Sequence, residues 1–395
     1  MKVNYLIELW LIEILKAIVK FFFNPLFYWF FIFVFILGIF RIKQERYFFG
    51  IKVFNLFYDW KRVLFTSLIS GLVLSIITVG AGFVFNYDIL FVLLISTFIM
   101  SLSFNPAYLS AVYTIGLTYV LLLFLPLLNS KVDFTFHLPV NIQFTHLTIL
   151  LGFFLIVEAL VIKKVKNNQI PPSLKLSNRG VWIGTLNMKK AMLIPVFVFI
   201  PSESIAFISD FLPYFSIAET KYSLLLFPFM IGYNYQIINE HAYKASNKIA
   251  NKTLFLGIII VILASVSFYI PTFSFIAILI AIIGKELMTI TFKLKNKKGE
   301  KYYIPLDKGL RILAIIPGTP ADRLELFVGE TIVRVNNKEV NSEREFYRAL
   351  QHKSASFKLD VLNKNQEVRF VTGSLYEFED HNLGLIFPSE PYNYH

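Results

Sequence analysis

Apolar runs long enough to cross a bilayer recur along the first three quarters of the chain, near 25–40, 63–85, 89–104, 107–128, 147–162, 191–212, 222–239, 253–271 and 273–292. A hydrocarbon core of about 30 Å takes about 17 to 25 helical residues to span. The pattern therefore predicts a polytopic α-helical membrane bundle of about nine helices over residues 25–292. Several runs are short and rich in Phe, and the pairs at 89–128 and 253–292 are separated by only a few residues, as tight hairpins or partly re-entrant segments would be. With 56% hydrophobic residues, 16% charged and a mean hydropathy of +0.62, a chain of 395 residues would be hard to keep in water.

Charge orients these runs. One loop carries Arg41, Lys43, Arg46, Lys52, Lys61 and Arg62, a second runs from Lys163 and Lys164 to Lys189 and Lys190, and a third holds Lys244, Lys248 and Lys252. They alternate with nearly bare loops at 86–88, 129–146, 209–221 and 271–272. Positive loops stay cytoplasmic, so the basic linker 293–301 and everything after it are expected in the cytoplasm. The formal charge of +12 is explained by these loops facing anionic lipids, and no nucleic acid is expected as a partner.

The first 24 residues differ. Lys2, Glu8, Glu13, Lys16 and Lys20 are set among Leu, Ile and Trp10, as in an amphipathic helix lying in the interface, and Asn24-Pro25 breaks it from the first span. No small-residue cleavage site follows, so the segment is expected to be retained rather than removed as a signal peptide.

Ionisable residues inside spans mark transport or catalysis when nothing simpler accounts for them. Glu158 lies about one turn before Lys163 and Lys164, where snorkelling to the interface suffices. Lys285-Glu286 reads as a local pair beside Gly284, a residue that permits close helix contact. Glu203, in Pro201-Ser202-Glu203-Ser204, sits at either a structural kink or a broken helix lining a wet cavity. Cys is absent from the sequence, which removes disulfides, thiolate nucleophiles and cysteine-ligated metals. His241 follows Glu240 without a second His a turn later, so no zinc-protease helix is written here, and the spans as delimited offer no His to activate a serine. Phosphate-binding glycine loops are likewise missing, and no cofactor is expected.

After Gly299 the composition changes. Strand-like alternation at 311–316 leads into Pro317-Gly318-Thr319-Pro320-Ala321, then Gly329-Glu330, a strand over Thr331 to Val335, and Asn336-Asn337. In order and spacing this resembles the PDZ domain of bacterial type, and a small α+β PDZ-like domain is expected over 302–395. The sequence departs from the family pattern at Thr319 for Ser, at Leu326 where the family often has Gly, at Glu330 for Asp and at Asn337 for Gly; Asn tolerates a left-handed turn nearly as well. Ser342-Glu343-Arg344-Glu345 reads as a capping box opening a helix to about Gln351, with Phe346 and Leu350 facing the core. Strands are expected at 356–362 and 366–372 around a hairpin at Asn363-Lys364-Asn365.

The PDZ resemblance implies a peptide-binding groove. On the helix side it would be bordered by Glu343, Tyr347 and Gln351, with Glu343 favouring a donor or cation in the ligand. Its carboxylate-binding element would be Leu383-Gly384-Leu385, whose place at the C-terminal end implies a circularly permuted strand order. A plain edge strand with one Gly accounts for the same three residues, and Tyr302-Tyr303-Ile304-Pro305 competes for the groove-lining position.

Many apolar spans, a short basic tether, a single terminal PDZ domain and no protease motif together resemble the MinJ-type topological determinants of cell division in Firmicutes. That resemblance implies a non-enzymatic adaptor bridging a DivIVA-like polar scaffold and a MinD-like ATPase, with other divisome proteins as further partners. A PDZ-regulated intramembrane protease or its accessory subunit, and a transporter with a regulatory tail, are the alternatives.

Overall fold

A computed structural model describes residues 2–129, 141–177, 179–201, 222–351, 356–363, 365–374 and 383–392. Helix α1 (Lys2–Phe23) ends at Asn24, whose side chain accepts from the Leu26 amide at 3.0 Å and so caps α2 (Pro25–Phe49). Then follow α3 (Tyr58–Gly80), α4 (Tyr87–Ser101), α5 (Ala111–Asn129) and α6 (Asn141–Lys163), and, after an intervening sheet, α7 (Ala242–Val266) and α8 (Thr272–Lys298). Five of these, α2, α3, α6, α7 and α8, are long and apolar enough to cross a membrane. Helix α8 runs through to Lys298, taking up most of the segment expected as a linker.

Two of the expected spans are not helices. The described part of the run at 191–212 and the run at 222–239 fall on β2 (Trp182–Pro201) and β3 (Tyr222–Ile237), paired antiparallel from Leu186 opposite Ile237 to Pro201 opposite Tyr222. A third strand, β1 (Pro172–Leu176), extends the other edge of β2 near its start. At about 3.4 Å per residue the β2–β3 ladder is about 50 Å long, more than a bilayer core is thick. The misreading has a physical cause: an apolar run fixes burial, not period, and Val196-Phe197-Val198-Phe199-Ile200 is the β-branched and aromatic composition that suits strands. Glu203 lies outside the described residues.

Strand edges are costly in an apolar setting unless their amides and carbonyls find partners. Helix α3 supplies them along β2: the Phe197 amide donates to Ser75 Oγ at 2.9 Å, and Thr78 Oγ1 donates to the Phe197 carbonyl at 2.6 Å. Two residues on, Phe199 exchanges backbone bonds with Phe83 and Phe85, each at 2.9 Å. Residue 197 thus turns its backbone away from β3, which makes the facing prolines Pro195 and Pro228 a non-hydrogen-bonded pair. Neither proline costs the ladder a bond. Gly71 lets α3 lie directly on that stretch, since a Cβ there would meet the Pro195 carbonyl oxygen at 2.4 Å. Helix α6 is the central element: almost its whole length is buried, with Phe154 against Phe229 at 4.8 Å between ring centroids.

The C-terminal module contains β4 (Leu310–Arg311), β5 (Ala314–Ile315), α9 (Pro320–Arg323), β6 (Thr331–Val335), β7 (Lys338–Glu339), α10 (Glu343–Gln351), β8 (Ser356–Leu362), β9 (Val368–Ser374) and β10 (Leu385–Ile386). Its main sheet runs β4-β6-β8-β9 with β7 beside β6, and β5 pairs separately with β10. Asn336 and Asn337 both take positive φ, 51° and 67°, where a tight turn demands it. The left-handed residue after α9 is Glu325 at φ 53°, one position before Leu326, which is buried. The glycine-like position is therefore 325, and Leu326 serves as a core residue.

Candidate peptide-binding groove and its dock on the membrane sheet

Helix α10 forms as its capping box demands. The Glu345 amide donates to Ser342 Oγ at 3.3 Å, and the Glu345 carboxylate reaches back to the Asn341 amide at 2.9 Å. The Asn341 amide, and after it the Ser342 hydroxyl, lower the pKa of the Glu345 carboxyl. Phe346 and Leu350 are buried, Tyr347 is half-buried, and Glu343 and Gln351 are exposed. Protein around the Glu343 carboxyl disfavours its charge and raises its pKa, and desolvation with the Glu343 charge beside it raises that of Tyr347.

Opposite this helix stands β10. Leu385 pairs with Ile315 and Ile386 with Ala314; the Ile316 amide donates to the Gly384 carbonyl at 2.9 Å and the Leu313 amide to Ile386 at 2.8 Å. Alternation turns the backbone groups of Leu385 and Phe387 to the other edge. Phe387, just beyond β10, packs on Phe346 of α10, centroids 5.5 Å apart, so helix and strand are neighbours. Gly384 takes φ 78°, and a Cβ there would fall 2.2 Å from Thr319 Oγ1, so glycine is required both for the turn and for the close approach of Thr319. Leu383, Gly384 and Leu385 are all buried. No hydrogen bond ties Glu343 or Gln351 to β10 among the described residues.

The competing strand is elsewhere. Tyr302 donates its amide to Ile238 at 3.0 Å, and the Tyr303 carbonyl accepts from Gly184 at 2.7 Å, so Tyr302-Tyr303 joins the membrane-side sheet rather than lining the groove. Tyr303 is fully buried there, and burial raises its hydroxyl pKa. Three further contacts seat the module on the same face. Asn168 donates to the Leu326 carbonyl at 2.8 Å and accepts from the Val328 amide at 3.0 Å, His241 lies against Tyr302, and Leu313 packs so closely on Gly184 that a Cβ would meet it at 2.6 Å. Sequence reading missed all of these, because the two backbone bonds leave no side-chain signature and Asn168, His241 and Leu313 meet partners distant in the chain. The Asn167-Asn168 pair just beyond α6 is the one visible trace.

Within the module, Glu330 accepts from the Phe327 amide at 2.9 Å and pairs with Arg369 at 2.8 Å. Among the membrane helices, Glu158 does not snorkel and Lys285 does not pair with its neighbour. Lys285 is bonded to Glu158, which also accepts from Ser110 Oγ at 2.7 Å, while Glu286 accepts from Tyr113 at 2.7 Å. His146 lies inside α6, stacked on Phe83 at 4.6 Å, with its Nδ1 against the Val84 amide at 3.3 Å.

Residues 311–363 match the PDZ domain family. The chain is similar to the cell division topological determinant MinJ of Bacillus subtilis (strain 168), 28% identical over 380 residues that make up 96% of each chain. It is also similar to the probable cell division topological determinant MinJ of Lacticaseibacillus paracasei, 31% identical over 85 residues, 21% of this chain and 23% of that one. The chain is thus MinJ-like along nearly its whole length: an apolar helical part with five helices able to cross a membrane, followed by a C-terminal PDZ domain.

Proposed function

We propose that this chain is a non-enzymatic membrane adaptor of division-site selection, which holds a MinD-like ATPase and a DivIVA-like polar scaffold at the inner leaflet near poles and septa. The observation that carries the reading is the β10 edge beside α10, in a module seated on the membrane sheet by backbone bonds. An extended peptide segment adds to such an edge as a further strand, with side chains of the helix reading its residues. Glu343, Tyr347 and Gln351 are the readers, and Leu383-Gly384-Leu385 receives the end of the ligand. A groove fixed to a bilayer raises the local concentration of any partner that is itself held there, so a weak site suffices. The basic loops face anionic lipids and keep the module cytoplasmic.

Co-sedimentation tests this. Full-length protein reconstituted in liposomes is mixed with a purified MinD-like ATPase or DivIVA-like scaffold. At least one partner should pellet in a manner lost with Tyr347→Ala. Equal sedimentation with protein-free liposomes would refute the adaptor reading, and proteolysis of the partner would favour the intramembrane-protease alternative.

A further inference from the structure

Beneath the docked module lies a cavity of about 1070 Å³. Six cations line it from separate elements: Lys175 on β1, Arg179 in the turn after it, Lys293, Lys297 and Lys298 on the last turns of α8, and Lys301 just beyond. Glu300 is the one carboxylate in its described lining. The remaining wall joins apolar Ile183, Ile238, Phe292 and Ile304 to polar Asn234, Gln236, Thr289 and Asn296.

Two neighbouring cations outside the cavity, Lys248 and Lys295, both reach Glu240. Among the described residues, Lys175, Arg179, Lys293, Lys297 and Lys298 form no ion pair. Lys301 spends its donors on Asn239 at 3.2 Å and on the carbonyls that end α8. Its ammonium pKa is lowered by desolvation and then by the nearby charge of Lys175. The fold thus concentrates six cations around an open space whose described lining supplies one carboxylate, Glu300.

We propose that this cavity holds the phosphodiester headgroup of an acidic phospholipid, with the lysines and Arg179 around the phosphate and the apolar wall taking the start of the acyl chains. A lipid is favoured over a free phosphate because the cationic rim is the end of a membrane-length helix, because the space far exceeds one phosphate, and because half its wall would have nothing to bind in a small polar anion. Such a lipid would sit under the segment that seats the PDZ domain. The site deepens the lipid contact proposed above, but it depends neither on the groove's partner nor on membrane orientation.

Native mass spectrometry of the full chain in detergent, titrated with phosphatidylglycerol, phosphatidylcholine or inorganic phosphate, tests the site. Phosphatidylglycerol should be retained about tenfold more strongly than phosphatidylcholine. Replacing Lys175, Lys293, Lys297 and Lys298 together by Gln should abolish that preference, and Arg at the same four positions should keep it. Lys308→Gln with Lys338→Gln, exposed cations of the C-terminal module outside the cavity lining, should leave it unchanged. Equal loss in that control would mean general surface charge, and complete competition by inorganic phosphate would mean a soluble anion; either overturns the proposal. Failure here would leave the co-sedimentation result, and with it the adaptor reading, untouched.

Discussion

Lys285 of α8 is bonded to the carboxylate of Glu158 on α6, a residue 127 positions away in sequence, and both side chains are buried. Ser110 takes the second carboxylate oxygen and the Tyr235 ring lies 5.9 Å from the ammonium, so two helices, the residue just before α5 and the hairpin meet at one ion pair. Removing one partner strands a charge in an apolar interior. Glu158→Ala or Lys285→Met alone should therefore cost about 3 to 5 kcal/mol of stability in detergent, and the double variant clearly less than the sum. Additive losses would show that the two groups do not act as a pair.

Gly184 determines whether the PDZ domain can seat. Gly184→Leu places a side chain where Leu313 and Tyr303 already are. Hydrogen exchange at the Tyr302 amide, which donates to the Ile238 carbonyl across the dock, reports the seat directly. It should be slow in the parent and at least several-fold faster with Gly184→Leu, while the far-ultraviolet spectrum stays the same. Unchanged exchange would place the seat elsewhere.

Within α10 the two faces should separate fold from binding. Leu350→Ala opens the core and should cost about 2 to 5 kcal/mol. Tyr347→Ala should weaken partner binding while leaving the thermal midpoint nearly unchanged. Equal loss of fold in both would contradict the helix facing.

Glu343 and Glu345, two residues apart, should show opposite pH dependence. Desolvation raises the Glu343 pKa, so stability linked to it is full below the unfolded value of about 4.3 and is lost as pH rises through the folded value. The Asn341 amide and Ser342 hydroxyl lower the Glu345 pKa, so its contribution is present above the unfolded value and lost as pH falls through the folded one. Glu343→Gln should stabilise the full chain near pH 7, and Glu345→Gln should destabilise it there. The Glu343 effect should fade as pH drops toward about 4, whereas the Glu345 effect should persist there and fade only at lower pH. The same sign in both variants would contradict the assignment.

Local chemistry made part of this molecule legible in its sequence. The capping box at Ser342, the turn at Asn336-Asn337 and the helix face of Phe346 and Leu350 each depend on residues close in the chain, and each forms as written. The runs that became β2 and β3 were identified as apolar but assigned the wrong period, because a strand whose edge is satisfied by Ser75 and Thr78 of another helix is as apolar as a membrane span. Glu158 and Lys285 were each given a local explanation, since nothing in either neighbourhood points across 127 residues. Leu383-Gly384-Leu385 could be picked out by its glycine, but only the pairing of β10 with β5 sets it beside α10.

The most direct test of the central claim is the position of the division septum in living cells, scored together with a fluorescent fusion of this chain. If the chain acts by holding partners at the membrane through its PDZ domain, the full-length fusion should gather at poles and septa, and removal of residues 300–395 should disperse it and produce minicells. A truncated chain that still localises and still supports mid-cell division would contradict the account.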